Sequence, residues 1–290
     1  SPVSTEAIGA FCDSPHHKDL RLLGLSGHQF TNEVLDVLAR AERLRSLEAL
    51  DLSHNALTGE DITHRVSPER LPNLKCLRLD HNAITDMVFF SDLGSIETLD
   101  LAFNRIRPTQ LATFSMSAAA INLTRLRLAH NPLENEIATV LGGAGAFGSL
   151  TMLDVSSTGL DDDAIEELAT TALLDRIEGL LLAGNELTNA SLDLLLSPRL
   201  ANLRVLDLNA NRVILDTALI TRLQEGSHLE QFTHLGLAAK LFDNSPRPPR
   251  EVYEQLEDQA REQGMTKLTT RYNRTIFYPW RDRFSRATFP

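Results

Sequence analysis

Aromatic residues are scarce, making up 6% of the 290-residue chain, and cysteine occurs only twice, at Cys12 and Cys76. Two thiols are too few for a small secreted scaffold stapled by disulfides, so a reducing compartment, cytoplasmic or nuclear, is expected, with secretion left open. No apolar run approaches the ~18 residues that a membrane-spanning helix requires, and an integral membrane protein is not expected. Positive charge is also short. The chain carries 28 basic against 39 acidic residues, a net charge of −11, which argues against broad, nonspecific binding of nucleic acid. Catalytic signatures are missing as well: there is no G-x-x-x-x-G-K-[ST] phosphate loop, no H-E-x-x-H or C-x-x-C pair and no G-x-S-x-G elbow. Residues Gly142 to Gly145 lack the phosphate-loop lysine and read as a loop. No enzyme, cofactor or small-molecule substrate is expected.

What the chain does have is a repeat. The pattern L-x-x-L-x-L-x-x-N-x-L opens at Leu20, Leu47, Leu74, Ile96, Leu123, Leu150, Ile177, Leu203 and Phe232, with spacings of 27, 27, 22, 27, 27, 27, 26 and 29 residues. In the second copy it is filled by Leu47, Leu50, Leu52, Asn55 and Leu57. Alternation across Leu50, Asp51 and Leu52 has the period of a strand with one buried face. Between these strands the apolar spacing becomes helical, most clearly over 161–174, where Asp161, Asp162 and Asp163 precede an apolar face and favour a helix N-terminus. Residues 31–38, 109–114 and 215–223 read the same way. The segment 59–72, broken by Pro68, reads as irregular, and the 22-residue repeat leaves room for only a short turn around 85–93.

On these motifs the chain resembles the leucine-rich repeat family over about residues 20–242, at its ribonuclease-inhibitor-like end. The resemblance implies an α/β fold: a right-handed solenoid, or horseshoe, with a parallel concave sheet and convex helices. It also implies a ladder of asparagines bonded to the backbone of neighbouring turns, here Asn55, Asn82, Asn104, Asn131, Asn185 and Asn211. Three repeats depart from it, with His28, Thr158 and Lys240 at that position. The first and last are terminal repeats, which are atypical in such arrays; Thr158 is internal and puts the ladder's continuity in question. Residues 1–19 read as an N-terminal cap.

In this family the non-leucine strand positions usually face solvent and carry partner recognition. The middle column runs Gly24, Asp51, Arg78, Asp100, Arg127, Asp154, Leu181, Asp207, Gly236. It is either self-neutralising surface or a charge mosaic that selects a protein by complementarity. Acids at Glu48, Asp51, Asp80, Glu97, Asp100, Asp154, Glu178 and Asp207 nearly balance bases at Arg21, Lys75, Arg78, Arg125, Arg127 and Arg204, so a mixed interface is favoured over a sink for a basic tail. The last column, with His54, His81, Phe103 and His130, either lines one rim for a partner or merely covers the turn. Its N-terminal half, with Phe103 as apolar anchor beside Arg78, Arg125 and Arg127, is the candidate binding site, together with Asp51, Asp100 and Asp154. His54 and His81 could approach at one strand spacing, yet no third ligand at a recognised spacing is evident, so no metal is expected.

After a breaker at Asn244–Pro249, residues 250–263 read as a capping helix with Val252, Tyr253, Leu256 and Ala260 on one side. Residues 265–290 then turn basic and aromatic, with Lys267, Arg271, Arg274, Arg281, Arg283 and Arg286 against Asp282. That tail could complete the cap, dock a partner as a second contact, or meet nucleic acid or an anionic membrane. The expected function is a non-catalytic module, a scaffold or adaptor, that binds a protein partner on the concave face. The alternatives are a substrate receptor of a ubiquitin ligase, a GTPase regulator, a bacterial effector, or a nucleic-acid or membrane adaptor working through the tail. GTPase-activating relatives carry an acidic tail after the repeats, which this basic ending does not match.

Overall fold

In the computed structural model, residues 3–17, 19–60, 66–143, 145–225, 230–238, 250–263, 265 and 267–269 are described. Each repeat contributes a three-residue strand: β1 (Leu22–Gly24), β2 (Ala49–Asp51), β3 (Cys76–Arg78), β4 (Thr98–Asp100), β5 (Arg125–Arg127), β6 (Met152–Asp154), β7 (Gly179–Leu181), β8 (Val205–Asp207) and β9 (His234–Gly236). These pair in sequence order as one parallel sheet, and β10 (Lys267–Thr269) joins it as a tenth strand beside β9. Register is set by the repeat itself. Leu50 lies opposite Leu77, Leu77 opposite Leu99, and Leu99 opposite Leu126, so every homologous leucine falls in one column.

The other side of the array is helical: α1 (Thr5–Asp13), α2 (Glu33–Arg40), α3 (Pro108–Ser115), α4 (Ala118–Asn122), α5 (Glu136–Gly142), α6 (Asp162–Ala169), α7 (Ala172–Arg176), α8 (Asn189–Leu195), α9 (Thr217–Glu225) and α10 (Arg250–Glu262). Strands stand about 4.8 Å apart while helices need roughly 8–10 Å between axes, so such an array bends with the sheet inside. The predicted helix over 161–174 is two, α6 and α7, and α6 is capped by Asp161, whose side chain accepts from Asp163 N. Gly142 closes α5 rather than belonging to a loop, and α4, α5 and α8 were not anticipated from spacing. The 22-residue repeat has only a 3-10 turn, Val88–Phe90. Phe89 and Phe90 fill the volume a helix would occupy, with Phe90 edge-on to Phe114 at 5.4 Å.

The N-terminal cap is α1, which places Ile8 and Cys12 in the core against α2. His28, at the first repeat's asparagine position, accepts from the cap through Nδ1 and Val3 N at 3.3 Å. Both cysteines are free and buried, and burial pushes the Cys12 thiol up to about 11. At the other end α10 buries Leu256 and Ala260; the side chains of Val252 and Tyr253, the breaker at 244–249, and Ala239, Lys240 and Phe242 lie outside the described residues. The boundary drawn before residue 265 moves, because Met265 is buried and 267–269 belong to the sheet; residues 270–290 lie outside the described residues. Among the described residues no helix is long and apolar enough to cross a membrane.

The asparagine ladder is present. Asn104 Nδ2 donates to Leu79 O of the preceding repeat at 2.9 Å and to Leu101 O of its own at 3.0 Å, while its Oδ1 accepts from Ile84 N. Asn55, Asn82, Asn131, Asn185 and Asn211 repeat this scheme. Thr158 breaks it. Its hydroxyl donates to Val155 O in its own repeat, and Leu133 N turns instead to Asn131 O. Glu134, at φ 50°, then gives its N–H to Thr158 O at 2.8 Å, restoring a backbone link between the two repeats.

Asn185 is fully buried and accepts from Thr158, Gly159 and Leu160 while donating to Val155 and Leu182. Asn185→Ala is expected to lower stability by more than about 3 kcal/mol, because several buried partners lose their bonds together. Thr158→Ala, which removes one local bond, should cost about 1 kcal/mol. Urea unfolding of both variants checks the difference.

Candidate functional site

The sheet face is built from columns of homologous residues, and the middle column has a division of labour. Asp51, Asp100, Asp154 and Asp207 each use Oδ1 to accept the N–H two residues on, at 2.9, 3.1, 3.0 and 2.9 Å. This closes the turn that ends each strand. The second oxygen is then left for a neighbouring repeat. Asp51 Oδ2 meets Arg78 at 3.1 Å, and Arg127 bridges Asp100 Oδ2 at 3.1 Å and Asp154 Oδ2 at 2.9 Å. Arg78 turns its other nitrogen to Asp80 at 3.2 Å.

This corrects the expectation that the column is open to solvent. Asp80, Asp100, Arg127 and Asp154 are buried, and Asp51 and Arg78 are half-buried. Parallel neighbours in register cover one another, and the inward bend of the sheet brings the columns closer. Burial pushes the Asp100 carboxyl above its ordinary range, with Arg127 opposing and Asp80 adding to the rise. Burial works against the Arg127 cation, yet Asp100 and Asp154 hold it firmly protonated. The outermost strand position is also self-paired, through Arg21–Glu48 and Lys75–Glu97. Of the three bases assigned to the candidate site, Arg78, Arg125 and Arg127, only Arg125 stays exposed.

The last column is where the structure brings the predicted residues together. His54, His81, Phe103 and His130 stack face to face across four repeats, with centroids 4.1, 4.1 and 4.0 Å apart and planes 17° apart at each step. All four backbones are left-handed, with φ of 54°, 55°, 55° and 57°. The parallel ladder holds them there: each N–H donates to the next repeat, as His81 N does to Ala102 O and Phe103 N to Ala129 O. Gly27, Ser157, Gly184 and Ala210 occupy the same column with the same sign of φ. The fold therefore asks this column for a left-handed backbone, not for rings. A bulky residue there costs about 1–3 kcal/mol, and each ring contact returns only about 0.5–1.5. Burial lowers the His130 imidazole below its usual range; Asp154 opposes, and Arg127 and His81 add to the lowering.

One grouping escaped sequence reasoning. His54, Asp80 and His81 bring ligand-type atoms within 4.8 Å of one another. Asp80 lies in the repeat of His81 but one residue before it, at a spacing no motif describes; only the register across β2 and β3 reveals it.

A comparison with family models agrees with the repeat. The model of the Leucine Rich repeat family matches residues 43–63, 70–86 and 119–142. These matches, together with the repeated strands and the asparagine ladder, support a leucine-rich repeat protein. No curated protein sequence matches it significantly. Among solved structures, internalin C2 from Listeria monocytogenes is 22% identical, covering 75% of this chain and 79% of its own, with a TM-score of 0.49. An internalin (inlF) of the same organism is 17% identical over 82% and 71%, with a TM-score of 0.44. The leucine-rich repeat domain of APL1B is 17% identical over 93% and 69%, with a TM-score of 0.47. Domains of this family generally serve as protein-interaction modules.

Two outcomes test the charge network. Arg127→Met leaves Asp100 and Asp154 buried without their cation and should cost about 3–5 kcal/mol, whereas Arg125→Glu, on the exposed position of the same strand, should change stability by less than about 0.5. Asp100 titrates higher in the fold than its ordinary 3.8, so it favours folding when protonated, and that contribution fades as pH rises through the folded-state value. Asp100→Asn should therefore flatten the loss of stability as pH rises above about 4, measured as urea midpoints at increasing pH.

Proposed function

We propose that the protein is a non-catalytic binding module whose partner is another protein lying across the sheet face of the second to fifth repeats. The ring stack of His54, His81, Phe103 and His130 carries this reading, because it concentrates wide, stiff side chains where the backbone would rather have glycine. Phe103 is the apolar anchor. Arg125 supplies an exposed cation at the first position of β5, and Arg78, half-buried, adds a second at the edge of the charge network. Asp51 offers an acid beside it, so the contact is mixed in sign. Asp100, Arg127 and Asp154 act beneath this surface as the rigid floor that holds the columns in register. A surface ordered before binding loses little conformational entropy when the partner arrives.

The tail beyond residue 269, basic and aromatic, is proposed as a second contact with the same partner. A cytoplasmic or nuclear setting suits the two free cysteines.

Capture experiments with the full chain and with Phe103→Ala/Arg125→Glu check the reading. Both substitutions lie outside the buried network and should leave folding intact. The expected outcome is at least tenfold less of each specifically captured protein with the double variant. Equal capture of the same proteins by both chains would remove the sheet face from consideration.

A further inference from the structure

The charge network has an imbalance. Asp51, Asp80, Asp100 and Asp154 carry four carboxylates, while Arg78 and Arg127 supply two guanidiniums, leaving two negative charges in excess when all are ionised. A divalent cation at the edge of the network would cancel the excess. The edge offers one place with suitable donors.

Asp80 is buried, with 4% of its side chain exposed, and its two oxygens are used differently. Oδ1 is held by Arg78 at 3.2 Å. Oδ2 faces outward, 3.0 Å from His81 Nδ1 and 3.9 Å from His54 Nε2. Both imidazoles are solvent-accessible, with side chains 54% and 39% exposed. We propose that His54, Asp80 and His81 form a binding site for one divalent transition-metal ion of the zinc, cobalt or nickel type. Two imidazoles with one carboxylate select such borderline ions over magnesium or calcium, which prefer all-oxygen shells. Arg78 on the far oxygen orients the carboxylate, as outer-shell partners do in metal sites. The three ligand atoms lie within 4.8 Å of one another, and a tetrahedral zinc ion needs them roughly 3.3 Å apart, given metal–ligand bonds of about 2.0–2.2 Å. His54 closes the gap by turning its ring: as the last ring of the stack it touches only His81 among the stacked rings, so the rotation gives up a single ring contact. On binding, the metal replaces the contact between His81 Nδ1 and Asp80 Oδ2: a neutral ring carries its proton on Nε2, and a protonated ring first releases its Nδ1 proton to solvent. Three protein ligands leave a coordination position open to water.

This inference goes beyond the docking proposal and does not depend on it, because the metal is tested on the chain alone. The untagged protein is titrated with zinc chloride by calorimetry and with cobalt(II) chloride by visible absorption, with magnesium chloride as the hard-cation control. One equivalent of zinc should bind, with cobalt bands of a low-coordinate nitrogen–oxygen site, and magnesium should not compete. His54→Ala and His81→Ala should each raise the zinc Kd at least tenfold. His130→Ala, which removes a ring from the same stack but no ligand, should leave it unchanged. The other six histidines, His16, His17, His28, His64, His228 and His234, remain in every variant and set the background. Asp80→Asn is read alongside circular dichroism, since it also disturbs Arg78. If the wild-type chain binds no zinc, or His54→Ala/His81→Ala binds it with unaltered stoichiometry and affinity, the site does not exist. Equal weakening by His130→Ala would assign the effect to the stack and overturn the proposal as well.

Discussion

Parallel pairing in strict register is the constraint from which the rest of the molecule follows. A three-residue strand has too few hydrogen bonds to persist alone, so each is held by its neighbours and, in six repeats, by the asparagine that follows it. That side chain satisfies backbone groups of two consecutive repeats at once, as Asn104 does with Leu79 and Leu101. Buried amides in the turn would otherwise go without partners, at a cost of about 1–3 kcal/mol each. Once the register is fixed, leucine stacks on leucine inside and aspartate on arginine outside. The ring stack is the same rule applied to a third column.

Much of this could be read from the chain before any coordinates. The leucine phasing located the nine repeat strands, the departures at His28 and Thr158 marked real changes in bonding, and the short third repeat turned out to hold a 3-10 turn. What was hidden is instructive. Alternation of Asp51, Arg78, Asp100, Arg127 and Asp154 was visible as a stripe, but a stripe does not reveal depth. Burial depends on how closely curved neighbours crowd, which no single repeat encodes. The Asp80 cluster was hidden for a related reason: its members belong to different strands and different columns. Helices α4, α5 and α8 are short, at five, seven and seven residues, and too brief to show a period of their own. β10 lay in a segment whose composition suggested a tail, and pairing with β9 rather than propensity makes it a strand.

The buried charges illustrate how one residue type serves two levels of structure. Asp51, Asp100 and Asp154 each close their own turn with one oxygen and meet an arginine of an adjacent repeat with the other. Buried ion pairs of this kind add little net stability relative to apolar packing, but removing one member is costly. Their contribution is to fix which neighbour sits where. A one-residue slip would set these charges against the leucine columns and leave them without partners, an arrangement that is disfavoured.

The left-handed column has an evolutionary corollary. Its backbone angles are imposed by hydrogen bonds between main chains, and glycine, serine and alanine satisfy them in Gly27, Ser157, Gly184 and Ala210 as well as histidine and phenylalanine do elsewhere. Selection can therefore rewrite the outer rim one position at a time while the leucine interior and the amide ladder stay untouched. In such an architecture the fold and its surface chemistry are written in separate alphabets, and a lineage can change one without relearning the other.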